Sequence, residues 1–439
     1  MERLTRRGTM NVYREPSKEI PVAASADVIV CGGGPAGVAA AVAAARTGAG
    51  TVLLEGHGCL GGIWTSGLLS WIIDAGNKSG IMAEVIARLD RRGARLQSKG
   101  SDFTYDAEQM KLLLEEMCEE AGVTVLLHAR VVDAAKDESR RLRMVITESK
   151  SGRQAWSANL FVDATGDGDL AARAGCRYEL GRPGTGEAQP MSLMALVAGI
   201  RPEEVEAFTM NGVHEEPKHK LLEQMTKAGV TPSYSAPSLF RIRDGLFAIM
   251  ANHEYGVSAV DASQISGATM RARKELHRLV DGLRQLGGRW AGLHIVSTAN
   301  QIGVREGRRI RGLYQVTEAD LKRGLKHEDA VCSVRYGIDI HSTDPSGGKG
   351  FGNDGKSSMP YDIPLRALIA ADVDGLLMAG RCISGDFVAH SSYRVTGNAV
   401  TMGQAAGTAA GLAALSGTLP QQLAWQDIAH ALNRLEEWK

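Results

Sequence analysis

The segment Asp27-Val-Ile-Val-Cys31-Gly-Gly-Gly-Pro-Ala-Gly37, with Thr51-Val-Leu-Leu-Glu55 beyond it, restricts this chain more than any other stretch. A β-branched apolar run enters a glycine-rich turn and an alanine-rich segment leaves it, as when a buried strand hands over to a helix. Gly32, Gly34 and Gly37 stand at the G-x-G-x-x-G positions. The first allows a tight turn, the second lets a pyrophosphate approach the backbone, and the third lets helix pack closely on strand. Pro35 fits the first helical turn, where a missing N–H costs nothing, and Ala36 follows it. The free N–H groups of that turn and the helix dipole favour a phosphate pair. Glu55 ends the second apolar strand about 20 residues beyond Gly34, where its carboxylate accepts hydrogen bonds from a ribose. A glycine-rich connection alone can be structural; here strand, glycines, helix, second strand and acid agree on a dinucleotide.

The chain does not run on from Glu55 into an ordinary turn and crossover helix. It continues Gly56-His-Gly-Cys-Leu-Gly-Gly-Ile-Trp-Thr-Ser-Gly67, a second flexible segment in which Gly61 and Gly62 let backbone crowd a ligand. Here the sequence resembles the FAD-dependent oxidoreductases of the glutathione reductase superfamily, in which a Gly-Gly pair soon after the ribose-binding acid runs beside the cofactor. Leu160-Phe-Val-Asp-Ala-Thr-Gly-Asp-Gly-Asp169, with Ala164, Thr165 and Gly166, is similar to the superfamily's strand ending in Ala-Thr-Gly. Gly375-Leu-Leu-Met-Ala-Gly-Arg381 is similar to its late strand, with Gly380-Arg381 where many members carry Gly-Asp. That departure marks one large subgroup, called simply FAD-dependent oxidoreductase. Its pattern also fits Arg305–Gly312, Gly337–His341, Tyr361–Pro364 and Ser391–Arg394.

The resemblance spans residues from about 15 to about 415. It implies FAD in a Rossmann-like α/β domain of glutathione reductase type, with a mixed α+β substrate-facing lobe. It names no substrate, because the subgroup covers many reactions. The chain is distantly similar to the succinate dehydrogenase and fumarate reductase flavoproteins, in which a histidine near this region bonds covalently to the flavin. The spacing to the Gly-Gly pair differs here, so non-covalent FAD is the expectation and a link at His57 or Cys59 the lesser alternative. Relatives resembling the heterodisulfide reductase flavin subunit carry cluster-binding cysteines, a spacing this chain lacks.

With 439 residues and 44% hydrophobic content the chain can fill two lobes. Its formal net charge is zero and it has no long basic run, which points away from a nucleic-acid partner. Six cysteines lie scattered without a C-x-x-C, so neither a disulfide scaffold nor a metal site is expected, and the dithiol reductases are excluded. Met1–Ile20 lacks the apolar core of a signal peptide, and Val28–Ala45 is broken by glycines and proline. A soluble, cytoplasmic protein without a membrane span is expected, acting on a small molecule, with its electron acceptor and any homo-oligomer left open.

The pattern divides the chain into an arm (1–25, with an edge strand at Glu19–Val22), a first FAD-binding part (26–176), a substrate or cap lobe (177–345), a second FAD-binding part (346–415) and a C-terminal surface helix (416–439). Helices are expected over Gly80–Arg91 and over Asp106–Glu120, the latter capped by Asp106 and apolar at Met110, Leu113, Leu114 and Met117. Leu142–Glu148 and Gln154–Asn159 read as a hairpin, followed by a separate strand over 160–166. Val131, in the extended segment His128–Ala134, is a further cofactor contact. Ile265–Leu286 reads as an amphipathic helix and Asn398–Leu415 as an alanine-rich one. A Gly347–Gly355 loop leads back to the flavin part, and no second G-x-G-x-x-G encodes an NAD(P)H domain.

Oxidation of an alcohol or amine on a flavin needs a proton acceptor and a positive field near N1 and the C2 carbonyl. The helix beginning at Gly397-Asn398 suits the second task, as its relatives do, with Arg394 as cationic candidate or as a structural salt bridge. His341 is the first candidate base and His390 the second, since histidine titrates near working pH. For either one, a satisfied structural histidine is the more ordinary reading. Arg305, with Arg308 and Arg309, can grip a carboxylate or form a solvated face, because Val304–Arg311 is too charged for core. Tyr361 and Tyr393 read as packing residues or hydrogen-bond donors. The expected function is an FAD-dependent dehydrogenase or oxidase of a sugar, polyol, hydroxy acid or amine. The alternatives are a flavin monooxygenase or ene-reductase, and an electron-transferring subunit of a larger complex.

Overall fold

A computed structural model describes residues 13–97, 102–212, 215–344 and 350–436. Its centre is a parallel sheet ordered Thr124–Leu126, Thr51–Leu54, Val22–Cys31, Gly152–Asp163. Val28 pairs with Thr51 on one side and Leu160 on the other. Val28, Ile29, Val30, Leu160, Phe161 and Val162 are all fully buried, as expected where both faces of a parallel sheet are covered. The free edge of Gly152–Asp163 is shared. Its first half pairs antiparallel with Leu142–Ser149, and Phe161–Asp163 pairs parallel with Leu376–Met378. The far end of the chain thereby returns beside the glycine turn.

Two expectations change here. The hairpin partner and the Ala-Thr-Gly strand are one continuous strand, because its two ends serve different neighbours. The supposed arm ends earlier than residue 25: Val22–Ala26 pairs with Ala155–Ala158 and extends a central strand, although the pairing with Thr51–Leu54 on its other side begins only at Val28.

The helix Pro35–Arg46 leaves the glycine turn and packs along Thr396–Ser416. Both are built of small residues. A Cβ on Gly403 would stand 2.1 Å from the Ala36 carbonyl oxygen, and one on Gly407 would stand 2.0 Å from that of Ala40. Glycine inside a helix costs about 0.5–1 kcal/mol against alanine, yet alanine would overlap backbone at both places, so steric fit decides. Ala107–Glu120 behaves as its sequence implies: the Asp106 carboxylate accepts from the N–H groups of Glu108 and Gln109, and Met110, Leu113, Leu114 and Met117 are buried.

A second core gathers residues between Met191 and Ile302, with Leu68, Trp71 and Ala107 joining it. Its four-stranded antiparallel sheet runs Ser238–Arg243, Leu246–Met250, Ala195–Ala198, His294–Thr298. The helix Ala262–Gln285 contributes the buried stripe Ala268, Ala272, Leu276, Leu279 and Leu283 to the same core. A lobe extending to residue 345 is too long. Ile310, Val316, Leu321, Val331 and Val334 pack in the first core, and Ala330–Val334 pairs with Tyr361–Pro364. Trp425–Glu436 is more than a surface helix, since Ile428 and Leu435 are buried in the first core. Part of the Gly347–Gly355 loop, and residues 437–439 of the C-terminal segment, lie outside the described residues. No helix of the described residues is long and apolar enough to cross a membrane.

Candidate active site

A cavity of ≈ 530 Å³ runs from the glycine turn into the space between the two cores. At the first end it is lined by Gly32, Gly34, Pro35, Ala36, Glu55, Gly62, Val131, Ala164, Thr165, Gly166, Gly380 and Arg381. The three motif glycines do different work. A Cβ on Gly32, whose φ is +97°, would stand 2.5 Å from the Ala164 carbonyl oxygen. One on Gly37 would stand 1.7 Å from the Gly32 carbonyl oxygen, so Gly37 is a packing position and does not line the cavity. One on Gly34 would meet nothing within 4 Å. That open space at a helix N-terminus fits a pyrophosphate.

The second glycine segment is tied to the first. Gly61 N–H donates to the Gly33 carbonyl at 2.7 Å, and a Cβ on Gly62 would stand 3.0 Å from the Gly34 Cα. Gly61 thus braces the turn from behind while Gly62 faces the cavity. The Glu55 carboxylate accepts from Gly33 N–H at 2.5 Å and from His57 N–H at 2.7 Å, and the Glu55 carbonyl accepts from Ala129 N–H, which brings the Val131 segment alongside. Asp163 fixes the Ala164-Thr165-Gly166 turn by accepting from Thr165 N–H, Thr165 Oγ1 and Ala171 N–H, while burial pushes its carboxyl up to about 6. Arg381 pairs with Asp167 at 2.7 Å.

His57 lines the cavity beside Glu55, the ribose end, and Cys59 does not line it; its thiol faces Thr65 and Ser66. The geometry speaks against either residue as a covalent flavin link. Val395, Thr396 and Ala399 line the cavity at the start of the long helix, but Gly397 and Asn398 do not. Gly397 packs its Cα against the carbonyls of Ile73 and Asp74, and Asn398 is fully buried, accepting from the Cys332 thiol. The helix terminus faces the cavity through neighbours of the two residues expected there.

At the far end the wall is made of side chains from separate segments: Tyr234, Arg305, Tyr336, Asp339, His341 and Arg394. His341 Nδ1 lies 3.1 Å from His253 Nε2, and His253 Nδ1 lies 3.1 Å from the Tyr255 hydroxyl, which donates to the Ser233 carbonyl at 3.2 Å. The direction of the line follows the histidine tautomers: with the Tyr255 proton on Ser233, His341 donates from Nδ1; with it on His253, His341 accepts at Nδ1 and donates from Nε2 toward Asp339. Asp339 Oδ2 stands 3.4 Å from that nitrogen and 3.2 Å from Arg394 Nη2.

Burial and the Arg305 charge hold the His341 imidazole down to about 4, Asp339 pulling the other way. Burial, then Arg305 and His341, depress His253 further. Asp339 is penalised by burial, but His341, Arg394 and Arg305 together keep its carboxyl below the usual range. Both rings are therefore neutral at neutral pH and the carboxylate is charged.

The other candidates are placed elsewhere. His390 is fully buried in the helix Phe387–Tyr393, outside the cavity, and neither ring nitrogen has a hydrogen-bond partner among the described residues. It is a core histidine, which removes it as a base. Arg308 pairs with Asp169, and Arg309 is buried against Glu306 at 2.5 Å. The charged run is partly core because it carries its own counter-ion. Tyr361 and Tyr393 are fully buried, donating to Ser392 Oγ and the Ile383 carbonyl. His253, Tyr234, Tyr255 and Tyr336 were not singled out by sequence; none sits in a recognisable motif. Among the described residues no group of three or more His, Cys, Asp or Glu side chains is placed to hold a metal.

Several solved flavoprotein structures are similar at low identity. A geranylgeranyl bacteriochlorophyll reductase-like protein from Thermoplasma acidophilum is 13% identical, with 94% of this chain and 82% of that one aligned at a TM-score of 0.47. The flavin-dependent brominase Bmp2 is 11% identical over 94% and 84% of the two chains, TM-score 0.45. The p-nitrophenol 4-monooxygenase PnpA from Pseudomonas putida is 12% identical over 66% and 70%, TM-score 0.42. No curated protein matches the chain. The model of one family, FAD dependent oxidoreductase, matches residues 27–432. With the parallel sheet, the glycine turn and the open phosphate cradle in place, the chain belongs to the FAD dependent oxidoreductase family.

Proposed function

We propose that this flavoprotein is a dehydrogenase or oxidase of a small polar metabolite, with His341 taking the proton from the hydroxyl or amine being oxidised. The observation that supports it most is a buried, neutral His341 on the cavity wall, held between His253 and Asp339. FAD, when bound, supplies a two-electron acceptor at flavin N5. The glycine turn, Glu55, Gly62, Ala164–Gly166, Gly380 and Thr396 at the helix start would hold it.

The protein's own part is positioning and proton transfer. His253 holds the His341 ring through Nδ1, and the rings of Tyr234 and Phe351 pack near it with centroids 5.7 and 5.5 Å away. A proton arriving on His341 makes an imidazolium beside the Asp339 carboxylate, which stabilises it. Arg394 holds Asp339 in place. The chain carries no second dinucleotide motif, so electrons leave to oxygen, a quinone or a carrier protein.

Anaerobic mixing of the yellow holoprotein with sugars, polyols, hydroxy acids and amines tests this directly. Bleaching of the flavin's visible band by one such class is expected. Bleaching by NAD(P)H alone, with oxygen consumed only when a second compound is added, would replace this reading with a monooxygenase.

A further inference from the structure

The arginines around this cavity divide by their partners. Of those that line it, Arg381 pairs with Asp167 and Arg394 with Asp339, while Arg130 is exposed to solvent, where an unpaired charge costs little; behind the wall Arg308 pairs with Asp169 and Arg309 with Glu306. Lys218, also on the cavity wall, pairs with Glu215. Arg305 differs. It is enclosed by protein and keeps part of its surface toward the cavity, yet no carboxylate forms an ion pair with it among the described residues; Asp339, paired with Arg394, acts on it only from beyond ion-pair distance. Its Nη1 donates to the Pro190 carbonyl at 2.6 Å and to Ser192 Oγ at 2.9 Å, both neutral. Its Nη2 meets only the Met250 sulfur, at 3.8 Å. Taking a charge out of water costs several kcal/mol unless a counter-ion repays it. The nearby Arg394 adds repulsion, and burial first, then Arg394, bring even this guanidinium down to about 10.

We infer that the substrate carries a carboxylate and that Arg305 receives it, one edge of the guanidinium being anchored by Pro190 and Ser192 and the other offered to the ligand. This rests on the dehydrogenase reading for the word substrate. Two phenols on the same wall, Tyr234 and Tyr336, have hydroxyls with no hydrogen-bond partner among the described residues. They complete a donor-rich pocket for an anion. Arg305, His341 and Tyr234 line the same end of the cavity, so the anion seat and the base face one space. A small acid whose hydroxyl or amine is borne on a carbon close to the carboxylate satisfies both. An anion seated there also cancels part of the field that depresses His341, raising the proton affinity of the base when substrate is present.

Binding of glycolate, lactate, malate and mandelate to the holoprotein, each against its own amide, gives the test, read by calorimetry and by perturbation of the flavin spectrum. At least one acid is expected to bind about tenfold or more tighter than its amide, more weakly as salt rises. Arg305→Gln should weaken that acid by about 30-fold or more and leave the amide unchanged. Equal affinity for acid and amide across the panel, or no acid bound at all, overturns the inference, and this wild-type comparison decides even if the variant does not fold. A shift of the flavin midpoint potential in Arg305→Gln with acid binding intact also overturns it, since the guanidinium would then serve the cofactor. Acids that bind through Arg305 without any compound bleaching the flavin leave the anion seat standing and remove the dehydrogenase reading. A neutral polyol that bleaches it while no acid binds does the reverse.

Discussion

The glycine turn and the histidine cluster line one cavity and are built by opposite means. Between Gly32 and Gly37 the wall is backbone: carbonyls and N–H groups of one strand–turn–helix unit, with Ala164 and Gly62 pressed against it at contact distance. At the other end Tyr234, His253, Arg305, Asp339 and His341 come from four stretches of chain and meet only through side chains. A backbone site tolerates an added atom only where space is open, as at Gly34, and depends on few particular side chains. A side-chain site tolerates changes of size but depends on the charge and tautomer of each member. The two ends should fail differently when altered.

The largest effect belongs to a position that touches no ligand. Gly37→Ala would place a methyl 1.7 Å from the Gly32 carbonyl oxygen and 3.2 Å from the Ala164 side chain, with backbone as the nearest obstacle. Overpacking of a rigid core costs about 1–3 kcal/mol or more, and here the first strand and helix must part. We expect little soluble protein, and circular dichroism of whatever is recovered should show a lowered melting temperature. A variant as stable as the parent would mean that strand and helix are not this close.

Next comes His341→Gln, which keeps a polar side chain but cannot hold a proton. Loss of a general base lowers kcat by about 10²–10⁴-fold, with FAD content unchanged because the glycine turn is untouched. His253→Gln should cost less and shift the pH profile of kcat, since His253 acts only by positioning His341. Equal FAD loading with undiminished kcat in His341→Gln would sink the proposed base.

The contrast between the two ends also explains what could be read from the chain. The glycine turn, Glu55 and the Asp106 cap are local: each is a few adjacent residues whose types follow from backbone geometry. The His253–His341 contact joins residues 88 positions apart, and no spacing rule announces it. Arg309 and Glu306 misled for a related reason: a charged run looks solvated until its partner is known to be buried with it. Sequence places His341 ahead of His390 but cannot say which ring reaches a cavity. Both sit in motif-like segments, and only the fold puts one ring on the cavity and the other behind it. The merging of the hairpin with the Ala-Thr-Gly strand was likewise hidden, because one strand changing neighbours halfway leaves no mark on its alternation.

A smaller effect separates the second glycine from the third. Gly34 has an ordinary φ of −72° and empty space where a Cβ would go, so Gly34→Ala should fold as well as the parent. The added methyl would occupy the pyrophosphate's approach, costing about 1–3 kcal/mol of binding, or roughly ten- to hundredfold in FAD affinity. Titration of the apoprotein with FAD, followed by flavin fluorescence, measures it. An unchanged affinity would show that the cofactor's phosphates lie elsewhere.

The smallest effect on turnover is expected from His390→Phe. The ring is fully buried beside Tyr393, with both nitrogens unpartnered, and burial holds its proton affinity well below the usual histidine range. In the unfolded chain a histidine protonates below about pH 6.5. Between that pH and the depressed folded value the unfolded state binds a proton that the native state refuses, so stability falls as pH falls, by up to roughly 1.4 kcal/mol per pH unit for one such group. The sign is opposite for Asp163, whose raised carboxyl loses stability as pH rises toward about 6, so a comparison of variant with parent is needed to isolate the imidazole. His390→Phe should leave kcat within about twofold of the parent, and urea unfolding at pH 7.5 and pH 5.5 should show a shallower loss on acidification. An equally steep loss would mean that His390 is already protonated or solvated in the native protein. A tenfold fall in kcat would return this histidine to the active site and erase the distinction between the two rings.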